Sequence, residues 1–304
     1  MDPQARAYLD QLAASGTPPF NELSPQDARR AYELATPVMS GPSPPLHRTE
    51  DRSIAGVPTR IYSPEARGPL PVLAFFHGGG WVVGSLQTHD AVCRRLAAAA
   101  QCLVVGVDYR MAPEHRFPAA VEDAWTVTSW LAAHSAEIGG DGGRLAVAGD
   151  SAGGNLAAVV ALKARDAGVR LRLQVLVYPV TDADFDTASY RANAIGFLLT
   201  RAAMAYYFDH YVPDVAVRRH PDVSPLRAAS LTGVAPALLV VCELDPLLDE
   251  GEAYARRLIA AGVPVTVKRY EGMIHGFIRM YAVIDRSHDL MAEMASALRG
   301  AFGS

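Results

Sequence analysis

The chain has 304 residues, half of them hydrophobic, with 28 Lys and Arg against 32 Asp and Glu for a formal net charge of -4. That is enough apolar material for a sizeable core, and it excludes the basic field a nucleic-acid partner requires. No segment reaches the ~18 consecutive apolar residues of a membrane span, and no run of like charge suggests a tail or arm.

The N-terminus, Met1-Asp2-Pro3-Gln4-Ala5-Arg6, has an early acid and no apolar stretch after it, so it does not read as a secretory signal. Cys93, Cys102 and Cys242 are widely spaced and odd in number. They are expected as buried free thiols of a cytoplasmic protein rather than a disulfide framework. The first segment, about Met1 to Ser43, contains no good strand. Its second helix has a start signal, with Ser24 as cap, Pro25 at the first helical position and Asp27 at the third.

From Thr49 to Tyr62, with Gly56-Val57-Pro58 in the middle, the pattern predicts an antiparallel hairpin. Short apolar runs follow at Leu70–Phe76, Cys102–Val107, Arg144–Ala148, Gln174–Tyr178, Ala237–Leu244 and Val265–Tyr270. Near-continuous apolarity fits strands buried on both faces. Helical periods lie between them at Phe117–His134, Ser151–Ala167 and Asp249–Ala261, with another at Arg286–Leu298. This alternation predicts an α/β fold with a mostly parallel central sheet and helices on both faces. A second strand-free segment, Thr181 to about Ser224, carries Phe197, Tyr206, Tyr207, Phe208 and Tyr211. Together with the first it is expected to form a helical cap over the C-terminal edge of the sheet, within one domain spanning residues 1–304.

The chemistry is concentrated where strands end. Arg144–Ala148 runs into Gly149-Asp150-Ser151-Ala152-Gly153-Gly154, and a helix follows. Gly-x-Ser-x-Gly at a strand–turn–helix junction is a nucleophile elbow, whose tight turn needs small residues two before and two after the serine. Leu70–Phe76 ends in His77-Gly78-Gly79-Gly80-Trp81. Backbone N–H groups of Gly78, Gly79 and Gly80, with that of Ala152, are the expected oxyanion-hole donors. His77 precedes the nucleophile and is read as a structural residue of the loop. Trp81 either packs in the core or walls the acyl pocket.

Asp245 stands just past the C-terminal end of its strand and is the expected acid. Asp249 and Glu250 open the next helix, where acids favour the helix dipole. His275 lies past the last strand beside Gly276, and of the histidines only it and His288 follow Asp245. With His288 on a polar helix face, His275 is the expected base. A Ser–His–Asp triad needs neither a metal nor an organic cofactor.

Read together, the chain resembles the hormone-sensitive-lipase-like bacterial esterases of the α/β-hydrolase superfamily. The resemblance covers nearly everything after about residue 45. It rests on His77-Gly78-Gly79-Gly80-Trp81, on Asp108-Tyr109-Arg110-Met111-Ala112-Pro113-Glu114-His115 with Phe117-Pro118-Ala119-Ala120, on Gly149–Gly154, on Asp245–Gly251 and on His275-Gly276-Phe277. Asp150 before the serine matches the subgroup with Asp rather than Thr there. The resemblance implies a cap, small-molecule esters with short to medium acyl chains as substrates, and homodimers in many relatives, often through the sheet edge. Glu114 either supports the site or packs its loop. Trp81, Asp150, Phe197, Tyr206 and Tyr207 are the candidate pocket residues. Two other readings stand beside esterase: a non-catalytic small-molecule-binding protein on the same fold, and a lipase or amidase using the same triad.

Overall fold

The computed structural model describes residues 1–303. Eight strands form one sheet in the order β1-β2-β4-β3-β5-β6-β7-β8. They are β1 (Arg48–Ile54), β2 (Val57–Ser63), β3 (Leu70–Phe76), β4 (Leu103–Val107), β5 (Gly140–Asp150), β6 (Gln174–Val177), β7 (Ala237–Leu244) and β8 (Val265–Ile274). β1 and β2 are the antiparallel hairpin read from the sequence, and β2 joins β4 antiparallel. All other pairings are parallel. The expected α/β fold with a mostly parallel sheet is therefore the one observed.

Alternate side chains along each central strand enter opposite core layers, as the two-residue period requires. Val72, Ala74 and Phe76 of β3 face one layer, and Leu73 and Phe75 face the other. The first layer is closed by α4 (Ala119–His134), α5 (Ala152–Asp166) and α8 (Leu248–Ala260); the second by α3 (Asp90–Ala100) and α9 (Arg286–Phe302). The three cysteines are buried and free in the second layer. Among the described residues, no helix is long and apolar enough to cross a membrane.

Some boundaries differ from the sequence pattern. α3 was not predicted, although Val92, Cys93, Leu96, Ala97 and Ala100 make one buried face at helical spacing. β5 begins earlier than Arg144 because Gly140 and Asp141 pair with Leu70 and Pro71 across a bulge. β8 continues past Tyr270 to Ile274, so His275 follows the strand directly.

The strand-free segments are helical. α1 (Pro3–Ala14) starts at Asp2, whose carboxylate accepts the N–H groups of Gln4 and Ala5. α2 (Pro25–Ser40) has the predicted cap, with Ser24 Oγ accepting the Asp27 N–H. The later segment contributes α6 (Ala188–Ala192) and α7 (Arg201–Tyr211). The two segments touch where the Tyr206 hydroxyl donates to the Leu23 carbonyl. Glu114 is on the surface, paired with Arg29 of α2 at 2.6 Å. Arg29 also donates to the carbonyls of Val82 and Ala112, so this motif fastens α2 to the glycine loop from outside.

The tightest backbone contact in this architecture lies at Gly153. A Cβ there would sit 2.0 Å from the Phe76 carbonyl oxygen and 2.6 Å from that of His77. No side chain can relax to relieve a clash with backbone. Gly153→Ala should cost about 3 kcal/mol or more, seen in calorimetry as a lowered Tm; an unchanged Tm would show that β3 and α5 are less tightly apposed.

Candidate active site

Ser151 occupies the turn between β5 and α5 with φ 57° and ψ -120°, a conformation that non-glycine residues seldom hold. It is held there by its N–H, which donates to the Val177 carbonyl at 2.9 Å, and by its own carbonyl, which accepts from Asn155 and Val180. Gly149, two residues earlier, would place a Cβ 2.2 Å from the Gly153 oxygen. Both flanking glycines are thus required by backbone proximity, as the elbow motif implied.

The three side chains expected to form a triad meet at the C-terminal edge of the sheet. His275 Nε2 lies 2.9 Å from Ser151 Oγ, and His275 Nδ1 lies 2.7 Å from Asp245 Oδ2. The other Asp245 oxygen accepts the Leu247 N–H at 2.9 Å, which fixes the carboxylate. Nδ1–H therefore donates to Asp245, and Nε2 is left to accept the serine proton. His288, the alternative histidine, bonds the Tyr281 carbonyl instead. Tyr178, at positive φ after β6, sets its ring 4.4 Å from that of His275. Sequence reasoning ended a strand at Tyr178 and gave it no role.

The glycine loop reaches the same point, with one correction. Gly79 and Gly80 have φ of 120° and 59°, and both line the cavity above Ser151. Among the described residues their N–H groups and that of Ala152 have no backbone acceptor. Gly78 differs: its N–H donates to Asp150 Oδ1 at 3.0 Å, so it is unable to serve as an oxyanion donor. Asp150 also lines the cavity, and His89 Nε2 lies 3.2 and 3.4 Å from its oxygens. Burial would raise its pKa, but the facing His89 outweighs this and holds the carboxyl below the usual carboxylate range. His89 was not singled out in the sequence, where nothing nearby marks it as Asp150's partner.

His77 is structural in position. It is buried, its ring stacks on Tyr109 at 4.3 Å, and Nδ1 lies 2.9 Å from the Gly78 carbonyl. The Tyr109 hydroxyl donates to the His77 carbonyl, so the Asp108–His115 motif also supports the glycine loop from within, through Tyr109. Glu250 stands in the first turn of α8, as expected of a dipole acid, and has a further role. It is buried and accepts the N–H groups of Thr181 and Asp182, which anchors the start of the second helical segment.

A cavity of about 690 Å³ opens over Ser151, with walls from α1, α2, the approach to α7 and the turn after His275. Phe197 and Tyr207 line it, and the Tyr207 ring lies so close over Gly80 that a Cβ there would meet it at 2.2 Å. Trp81 and Tyr206 do not line it. Trp81 is fully buried, stacked on Tyr211 at 4.4 Å, with its edge on Phe208. Tyr206 turns outward to Leu23 and His210. Adjacent residues on α7 point about 100° apart, so only one of the Tyr206–Tyr207 pair faces the cavity.

A serine at a strand-to-helix elbow, on a sheet of this order, is the architecture of the α/β-hydrolases. A family model described as alpha/beta hydrolase fold matches residues 73–279. The chain is 44% identical over 270 residues to carboxylic ester hydrolase LipN of Mycobacterium tuberculosis, covering 85% of this chain and 72% of that protein. It is 41% identical over 313 residues to carboxylesterase NlhH of the same organism, covering 99% and 96%. An α/β-hydrolase enzyme from the metagenome of Lake Arreo, Spain, superposes with a TM-score of 0.96 at 38% identity over 100% of this chain and 99% of that one. The chain belongs to the α/β-hydrolase family, within its hormone-sensitive-lipase-like group of esterases.

Burial pushes the His77 pKa down to about 3 from an ordinary 6.5. Between those values the unfolded chain binds a proton that the folded chain refuses, so stability falls as pH drops through this window. His77→Phe keeps the shape and removes the titration. The slope of Tm against pH between 6.5 and 3 should then be shallower than in the wild type; an identical slope would show that His77 is protonated in the fold.

Proposed function

We propose that this chain is a serine carboxylesterase acting on short- to medium-chain acyl esters. The observation that carries the reading is the hydrogen-bonded line from Asp245 through His275 to Ser151 at 2.7 and 2.9 Å. His275 takes the Ser151 proton as Oγ attacks the ester carbonyl carbon, and Asp245 stabilises the imidazolium that forms. The oxyanion is received by the N–H groups of Gly79, Gly80 and Ala152. His275 then protonates the departing alcohol, leaving an acyl-enzyme. Water, deprotonated by His275, attacks the acyl carbon, and the carboxylic acid leaves as Ser151 recovers its proton. Residues 1–43 and 181–224 act as a cap on a single α/β-hydrolase domain, limiting the acyl chain through the cavity they wall. The unpaired side of β8 supports homodimerisation, which sedimentation would test, and the buried free thiols support a cytoplasmic location.

p-Nitrophenyl butyrate should be hydrolysed, with Ser151→Ala lowering kcat by roughly 10⁴-fold or more. Equal turnover by both proteins would eliminate the Ser151 esterase reading; no turnover by either would leave the non-catalytic binding reading in its place. Across a p-nitrophenyl ester series, rates should fall beyond about eight acyl carbons; faster cleavage of long-chain emulsions would favour a lipase. Gly79→Pro deletes one oxyanion donor and should cost at least ~10²-fold in kcat, with circular dichroism confirming that the variant folds. Retained kcat in a folded Gly79→Pro protein would remove Gly79 from the oxyanion hole.

A further inference from the structure

Arg279 ends the short turn that begins two residues after His275, and it lines the same cavity as Ser151. Among the described residues it is the sole lysine or arginine on that wall, and it is only 3% exposed. One guanidinium nitrogen, Nη2, donates to Thr36 Oγ1 at 2.8 Å, and the guanidinium carbon lies 3.8 Å over the ring of Tyr32. Nε is buried with no hydrogen-bond partner. Among the described residues no carboxylate forms an ion pair with it.

The contrast with the other buried arginine is direct. Arg218 is paired with Asp209 at 2.6 Å. The one carboxylate on the cavity wall among the described residues, Asp150, is hydrogen-bonded by the Gly78 N–H and faces His89, and its charge reaches Arg279 only from beyond ion-pair distance. Arginine stays charged at any working pH, and a buried guanidinium with no carboxylate in contact is costly. A ring face, one hydroxyl and the more distant Asp150 offset part of that cost and leave Nε without a partner. The planar fork suits a carboxylate in a bidentate fit.

We propose that Arg279 forms an anion subsite in the substrate cavity, so that the enzyme takes esters bearing a carboxylate some way from the scissile bond. The proposal rests on the esterase reading for its chemistry and deepens it by naming a substrate class. The carboxylate could belong to the acyl or the alcohol part, and both present the same oxygens to Arg279.

Two matched pairs of esters distinguish them. On the acyl side, monomethyl glutarate is compared with methyl 5-methylhexanoate, in which an isopropyl group replaces the carboxylate. On the alcohol side, 3-acetoxypropanoate is compared with isoamyl acetate. The ratio of kcat/KM, charged over neutral, should fall at least about 30-fold in Arg279→Met in one arm, and less in Arg279→Lys. A smaller fall in both arms overturns the proposal and leaves Arg279 as a pin between α2 and the His275 turn. Binding to the Ser151→Ala protein, followed by titration calorimetry, reads the subsite without turnover and without altering Arg279. There the charged member of one pair should bind more tightly than its neutral partner; tighter binding of the neutral member in both pairs overturns it. If the wild type hydrolyses neither neutral ester, the esterase reading fails, and the calorimetric comparison still decides the subsite.

Discussion

Backbone packed on backbone at Gly153 is the constraint on which the site is built. With no Cβ between them, the start of α5 comes against the carbonyls of Phe76 and His77, where β3 gives way to the glycine loop. That proximity puts the Ala152 N–H, at the first turn of α5, beside the loop that carries Gly79 and Gly80. It also forces Ser151 into its unusual backbone conformation, which lifts Oγ clear of the sheet. The proposed nucleophile and oxyanion donors are therefore placed by one steric fact, before any side-chain interaction is considered. The strain is tolerated because Val177, Asn155 and Val180 satisfy the Ser151 backbone from both sides.

The proposed acid and base are positioned by separate means. β7 and β8 lie side by side, so the residues leaving their ends, Asp245 and His275, start as neighbours. Leu247 N–H fixes the carboxylate, and Asn193 donates to the Asp245 carbonyl from the second helical segment. Glu250 works in the same region, holding the entry to that segment at Thr181. The segment over the cavity and the acid's loop are thus one hydrogen-bonded unit.

Legibility in the sequence followed the range of the interaction. The elbow glycines, the Ser24 cap and the apolar runs of the central strands are local, and short patterns reported them. The meeting of Asp245 and His275 was legible because each follows a strand directly, so chain order stood in for distance. Gly78 was misread because a glycine triplet announces backbone freedom without telling which N–H is already taken; Asp150 takes it from 72 residues away. Trp81 and Tyr206 failed for a related reason. Periodicity gives the face a residue occupies, whereas its partners, Tyr211 for one and Leu23 for the other, are fixed by the docking of distant helices.

Charge placement separates the parts of the cavity. Asp150 spends its charge on the architecture, fastening Gly78 and facing His89, so the glycine loop keeps its other N–H groups free. Arg279 is held through softer contacts, a ring face and a hydroxyl, both from α2. Those contacts join α2 to the turn that follows His275, so displacement of α2 would be felt next to the imidazole. A ligand charge meeting Arg279 would thus bear on a short chain of contacts running from α2 through Arg279 and Gly276 to the imidazole. Recognition and general-base catalysis would then share a stretch of five residues, His275 to Arg279, because the end of β8 brings both side chains into the same cavity.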